Sequence, residues 1–320
     1  MLNLANLKAL DARFHFSRRI AAERLSMCEA SRIITSTGQE RMEQYAHPLY
    51  ASAVDSADDQ RFAVIPPGVN TRIFCPERDP ADEAVTVSLA ERLPDLERPR
   101  IVISSRLDEK KNILGAVRAY CDSPVLRQRA RLALYLRDVD DPFEQIKNLP
   151  PDERSVLEPI LRLIDSSGAR GHVDFVNATS QQVLAASYRF FAQRGSVFVL
   201  SSLYEPFGLA PIEAGACGLA VVATRNGGPS EIFADGSGVL VDPANPADIA
   251  EGIARALKDH GRYAERIRHR VHSTYTWERT AESYLAVIEA GCRSTSTMRS
   301  NAIELDATVP LKRYLARRGE

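Results

Sequence analysis

Residues 196–225 read SVFVLSSLYEPFGLAPIEAGACGLAVVATR. The apolar run SVFVLSS, 196–202, is a strand, and Pro206 and Gly208 follow it as turn residues. A helix opens near Ala210, and LAVVATR, 219–225, is the next strand. Strand, turn, helix and strand make one βα unit. Glu205 stands at the end of the first strand, and Glu213 lies eight residues on, inside the helix. The question this stretch raises is what needs two carboxylates at that spacing.

Working outward, the same alternation continues from about residue 100 onward. PRIVISSRL (99–107), RLALYL (131–136), HVDFVN (172–177) and GSGVLVD (236–242) read as strands. KKNILGAVRAYCD (110–122), QQVLAASYRFFAQ (181–193) and PADIAEGIARALKDH (246–260) read as helices, with Asp242 or Asn245 near the start of the last and Pro246 in its first turn. Two further helices are expected around 262–272 and 276–290. The fold class is therefore α/β, a parallel sheet with helices on both faces. Before residue 100 there is a helix over 17–30, a short strand RIITST (32–37), and a strand FAVIPPGVN (62–70) stopped by Pro66, Pro67 and Gly68. Residues 75–99 read as a surface connection with one short helix. The segment from Arg293 reads as a polar, loosely held tail with a short helix at 310–317.

Bulk composition excludes several classes. Of 320 residues, 41 are Lys or Arg and 42 are Asp or Glu, so the strongly basic face of a nucleic-acid binder is not expected. No apolar run is long enough to cross a membrane. The N-terminus lacks the pattern of a secretory signal. Cys28, Cys75, Cys121, Cys217 and Cys292 are scattered and odd in number, which fits a reducing cytoplasm and neither a disulfide framework nor a zinc site.

In parallel sheets ligands bind beyond the carboxyl ends of the strands. After IVIS come Arg106 and Lys111, close to a helix N-terminus, a good diphosphate site. Two solvated surface cations would look the same. After VFVLSS come Glu205, then the Phe207–Gly208–Leu209 turn with its free amides, then Glu213. Amides suit an anion, and a carboxylate on each side suits paired hydroxyls. The answer to the opening question is a sugar-nucleotide cradle, one glutamate per carbohydrate ring. A capping glutamate and a core-edge salt bridge would also explain an isolated pair. After VVATR, Gly227 and Gly228 open a backbone nest, or a plain turn. The three segments coincide at the ends of strands of one sheet, which favours the cradle. Asp138-Val139-Asp140 has the form of a metal-bridging pair but reads as a solvated turn, and no metal is expected. The six histidines show no ligand spacing, and neither a G-x-S-x-G elbow nor a phosphate-binding P-loop occurs.

The segments SRLDEKKN, SSLYEPFGLAPIEAGACGLAVVATRNGGPSEI and GVLVDPANPADIA resemble the nucleotide-binding half of retaining GT-B glycosyltransferases of the family 4 type. AERLSMCEASRIITSTGQERMEQYAHPLY, VIPPGVNTRIF and LRDVDDPFEQI look like the sucrose-phosphate synthase and mannosylfructose-phosphate synthase branch. The resemblance covers roughly residues 10–290. It implies a C-terminal Rossmann-like donor domain over 61–292, a remnant of an acceptor-side domain over 1–60, and a tail over 293–320. It implies hexose transfer with retention from UDP-glucose, alternatively ADP-glucose or GDP-mannose, to fructose 6-phosphate, without a required metal. Arg106 and Lys111 would bind the diphosphate, Glu205 the transferred sugar, and Glu213 the ribose. The Phe207–Ala210 backbone would meet sugar and phosphate, with Gly227 and Gly228 nearby and Val176 and Asn177 near the base. Arg18 and Arg19 would meet the acceptor phosphate.

The sequence departs from the family in lacking the glycine-rich first domain, so an enzyme is expected to need either a separate N-terminal half-enzyme as partner or a start site upstream of Met1. Donor binding without transfer, or an aggregation-prone fragment with an apolar face along 10–60, are the other two expectations. Two smaller departures are Asp138, where relatives usually carry Gly, and Gly215, where Met is common.

Overall fold

Among the residues described by the computed structural model (5–80, 82–293 and 308–317), eight strands form two parallel sheets. They are β1 (Ile33–Thr35), β2 (Phe62–Val64), β3 (Arg100–Ser104), β4 (Arg131–Tyr135), β5 (Val173–Val176), β6 (Val197–Leu200), β7 (Ala220–Thr224) and β8 (Val239–Val241). The chain divides into two units, residues 67–280 and residues 1–66 with 281–320. The sequence reading set those boundaries at 60/61 and 292/293.

The larger unit holds the six-stranded sheet in the order β5-β4-β3-β6-β7-β8, all parallel. From β3 the chain steps outward through β4 to β5. It then returns to the other side of β3 and steps outward through β6, β7 and β8. The direction reverses between β3 and β6, and that reversal leaves a crevice at the carboxyl ends of these two neighbours.

Side chains alternate along each strand and build a core on each face. Ile101, Ile103, Leu132, Leu134, Val197 and Val199 pack with residues of helices Ile113–Cys121, Pro151–Ser166 and Pro246–Lys258. Val102, Ala133, Phe198, Leu200 and Val221 point the other way, toward helices Gln181–Ala192, Leu209–Ala216 and His260–Thr274. Phe198 has no exposed surface, and truncating it to alanine would cost about 3–5 kcal/mol.

Most expected helices are present. Asn245 caps Pro246–Lys258 by accepting from the amides of Ala247 (3.0 Å) and Asp248 (3.3 Å). The 75–99 connection carries the helix Asp82–Arg92. The Arg189 guanidinium pairs with the Asp82 carboxylate through two 2.6 Å bonds, both side chains nearly buried, and ties that connection down. At the amino ends of the strands, Asp174 on β5 accepts from Arg100 on β3 (3.1 Å) and Arg131 on β4 (2.7 Å).

The sixteen-residue helix Pro151–Ser166 was not expected. Its buried residues Leu157, Ile160, Leu161 and Ile164 have helical spacing, but Pro150, Pro151 and Pro159 read as breakers. Pro151 stands at the first turn, where a missing N–H costs nothing.

In the smaller unit β1 pairs with β2 in parallel over Met27, Ala53 and Val54. Helix Thr308–Arg317 buries Leu311 and Leu315 with Leu7 and Leu49, so this part of the expected tail is packed and not loosely held. The rest of the tail, 294–307 and 318–320, lies outside the described residues. Among the described residues no helix is long and apolar enough to cross a membrane.

Candidate functional site

The carboxyl ends of β3 and β6 open into a cleft of about 1250 Å³, bordered only by residues of the larger unit. The cleft extends from the β3/β6 crevice toward the ends of β4 and β5. Of the expected residues it brings together Arg106, Lys111, Glu205, Phe207, Gly208, Leu209 and Ala210. Sequence reasoning missed its far wall, formed by Arg137 after β4, by Thr179 and Gln181 after β5, and by Asp152 and Glu153 at the start of the unforeseen helix.

Lys111 and Glu205 face each other across the crevice. The Lys111 ammonium donates to Glu205 Oε2 at 2.7 Å, and Ser202 Oγ donates to the same oxygen at 3.2 Å. The two side chains are 22% and 13% exposed, so this pair is partly shielded and worth more than a surface ion pair. Arg106 is exposed and makes no hydrogen bond or ion pair among the described residues. Glu205 offsets the charge of Lys111, so Arg106 is left as a cation with no partner at the mouth among the described residues, although the cleft as a whole is lined by carboxylates as well, among them Asp108, Glu109, Asp152 and Glu153.

The floor is backbone. Gly208 sits at φ 113°, a conformation that side chains resist, and starts the helix Leu209–Ala216 without a side-chain cap. The amides of Gly208, Leu209 and Ala210 have no backbone acceptor among the described residues. They form a ready anion site beside the two cations.

Gly227 and Gly228 do not border the cleft but hold its floor. The Glu205 amide donates to Asn226 O (3.1 Å) and the Gly228 amide to Glu205 O (2.9 Å). Gly227 has φ 97°, and a Cβ there would stand 2.0 Å from the Glu205 carbonyl oxygen. Only glycine lets the β7 loop lie this close to the Glu205 backbone.

Glu213 lies in the helix behind the floor, mostly buried and without a hydrogen-bond partner among the described residues. Burial alone pushes its carboxyl above the ordinary value. Val176 is buried, and its carbonyl accepts from the Leu136 amide; Asn177 Oδ1 accepts from the Asp138 amide at 3.1 Å. Both support the β4 loop rather than face the cleft. Arg18 and Arg19 are exposed on helix Phe16–Glu29 of the smaller unit.

The two departures from the family pattern have physical reasons. Asp138 adopts φ 58°, the left-handed conformation that glycine takes freely and aspartate tolerates better than most residues. Asp138 and Asp140 instead pair with Arg137 (3.5 Å) and Arg92 (3.4 Å). At Gly215 a Cβ would stand 2.3 Å from Ile267 Cγ1, so Ile267 takes the space a longer side chain would need.

Residues 88–272 match the family model described as Glycosyl transferases group 1. A probable sucrose-phosphate synthase from Thermosipho melanesiensis is 39% identical over 285 residues, covering 89% of this chain and 60% of that protein. The structure of a sucrose-phosphate synthase from Thermosynechococcus elongatus is similar with TM-score 0.65 at 28% identity, over 86% of this chain and 62% of that one. HepE of Anabaena, solved in complex with UDP-glucose, shares the fold with TM-score 0.64 at 17% identity, over 86% of this chain and 69% of that one. The chain thus spans about three fifths of the length of the two synthases.

Proposed function

The chain belongs to the group 1 glycosyl transferases, and from that premise we propose that its cleft holds a nucleotide sugar of the UDP-glucose type for retaining transfer of the hexose to fructose 6-phosphate. One observation carries the reading. A cationic pair, Arg106 and Lys111, and a row of free amides at Gly208–Ala210 converge on the β3/β6 crevice, with the unpartnered Glu213 carboxylate behind them.

In this reading the diphosphate lies between the two cations and the amides. Glu213 does not border the cleft as it stands, so the ribose hydroxyls donate to it only once its carboxylate turns from behind the floor, where it then regains the hydrogen bonds that burial withholds. The transferred sugar donates to Glu205, whose position Lys111 fixes. The base lies toward β4 and β5, where the cleft extends. Transfer breaks the bond between the sugar C1 and the diphosphate oxygen and forms one from C1 to an acceptor hydroxyl on the same face. The acceptor proton passes to the departing diphosphate. Arg106, Lys111 and the helix amides stabilise the charge that builds on that leaving group, the term that dominates such reactions. HepE, the solved UDP-glucose complex of this fold, supports a nucleotide-sugar donor, and the sequence relatives named sucrose-phosphate synthase support that branch.

A second reading follows from the same cleft. All its bordering residues lie between Pro67 and Pro211, within one unit. Donor binding needs that unit alone, while transfer also needs an acceptor side, which a separate N-terminal half-enzyme would supply. The test is transfer of radiolabelled glucose from UDP-glucose to fructose 6-phosphate by the chain, with Glu205→Ala as comparator. Labelled sugar phosphate that disappears in the variant supports the enzyme. UDP-glucose binding without product supports the module, and neither binding nor product contradicts both.

A further inference from the structure

We propose that Asn112 is a positioning residue that sets Lys111 on Glu205 by locking three strand-end loops together. The role of Lys111 toward a diphosphate rests on the function proposed above; the lock itself does not. Asparagine is among the best helix N-caps, where its side-chain oxygen accepts from the first turn. Asn112 precedes the helix Ile113–Cys121 but makes no such bond, and its backbone is left-handed at φ 49° rather than extended. Its side-chain amide instead lies against Gly115 and reaches two other loops. Nδ2 donates to Ser201 O at 3.1 Å and to Pro243 O at 2.7 Å. Both partners are carbonyl oxygens, so only the NH2 end of the amide can face them.

Ser201 follows β6 and Pro243 follows β8, so one side chain at the end of β3 holds two other loops. The bonds are returned. Ser201 Oγ donates to Asn112 O at 2.9 Å, and the Leu203 amide donates to Lys110 O at 2.8 Å. Lys111 lies between Lys110 and Asn112, and Glu205 lies two residues beyond Leu203. Ser201 Oγ also donates to Lys111 O at 3.4 Å, so the ion pair across the crevice is framed by four hydrogen bonds that all run between the β3 and β6 loops.

Gly115 makes room for this arrangement. A Cβ at Gly115 would stand 2.6 Å from Asn112 Nδ2 and 2.7 Å from its Oδ1. Gly115 thus gives up helix propensity where the tucked amide requires it.

The experiment compares Asn112→Gly, which keeps the left-handed backbone and removes only the side chain, with Asn112→Asp, which sets a carboxylate against two carbonyls. Each is made in the native and in the Lys111→Ala background. Affinity is measured by calorimetry for UDP, GDP, ADP and uridine. Asn112→Gly is expected to weaken the bound diphosphate about tenfold and to leave uridine unchanged, with Asn112→Asp at least as damaging. In the Lys111→Ala background the Asn112→Gly loss is expected to vanish, because the two act as one unit. Equal losses for UDP and uridine, or a full loss in both backgrounds, would make Asn112 a structural residue only and overturn the proposal.

A second readout does not need a nucleotide. Lysines carrying 13C-methyl groups are followed by NMR, and the Lys111 signal should respond to Glu205→Gln in the native chain but not in Asn112→Gly. The same response in both chains overturns the lock even if the donor reading holds. If no nucleotide binds, the donor reading fails and this signal alone decides the lock.

Discussion

Gly228→Ala tests whether the floor of the cleft depends on two backbones lying in contact. Gly228 has φ −50°, which alanine adopts without strain, so the effect of substitution is steric alone. The added Cβ would stand 2.4 Å from the Phe207 carbonyl oxygen, 2.6 Å from Phe207 Cα and 2.8 Å from the Pro206 carbonyl oxygen. All three are backbone atoms and cannot rotate away. An ordinary contact begins at 3.4 Å, so the loop after β7 and the loop after β6 must part by about 1 Å. Overpacking of this kind costs about 1–3 kcal/mol, and in a domain of this size each kcal/mol lowers Tm by about 2–4 °C. The displaced segment carries the Gly208–Ala210 amides. A 1 Å misplacement of such groups costs about a hundredfold in rate where transfer is measured. Calorimetry with the diphosphate nucleotide and differential scanning fluorimetry read the two effects. Gly171→Ala is the control: nothing lies within 4 Å of its added Cβ, and its stability should change by less than about 0.5 kcal/mol. Unchanged Tm and nucleotide affinity in Gly228→Ala would refute the close-packed floor.

Glu213→Gln should stabilise the chain at neutral pH while weakening nucleotide binding. The folded carboxyl titrates above its ordinary value of 4.5, so the folded state binds more protons there and stability falls as pH rises through the window. Melting curves of the two proteins should converge below pH 4.5 and diverge above it, and parallel curves would contradict the desolvation. Gly215→Ala should destabilise by about 1–3 kcal/mol through its 2.3 Å approach to Ile267, and Ile267→Ala should relieve part of that; additive losses in urea unfolding would show the sites are not coupled. Asp82→Asn leaves the Arg189 guanidinium buried without its carboxylate and should cost about 3–5 kcal/mol in the same assay; a loss below 1 kcal/mol would count against the buried pair.

The strand ends were legible in the sequence because each carries a run of apolar residues that stops at polar or glycine residues. Ile101, Val102 and Ile103 are buried in alternation on two faces, as a strand inside a doubly covered sheet requires. Arg106, Lys111 and Glu205 were found because they follow strands, and strand ends of a parallel sheet share one edge. What could not be read depends on contacts distant in the chain. The part of the far wall made by Asp152 and Glu153 was missed because Pro150, Pro151 and Pro159 masked the helical spacing of Leu157, Ile160, Leu161 and Ile164. The contacts of the Asn112 amide with Ser201 and Pro243 could not be read because an asparagine before a helix looks like a cap whichever way its amide points. Gly215 looked like a small departure until Ile267, fifty-two residues on, occupied the space it leaves.

The central claim is that the β3/β6 crevice binds a nucleoside diphosphate sugar. The most direct measurement is calorimetric titration of the chain with UDP-glucose, GDP-mannose and ADP-glucose, repeated on Lys111→Ala and Glu213→Ala. The account predicts saturable one-site binding, with UDP-glucose tightest and both variants weakened at least tenfold. Binding that neither variant alters, or no binding by a chain that melts cooperatively, would contradict it.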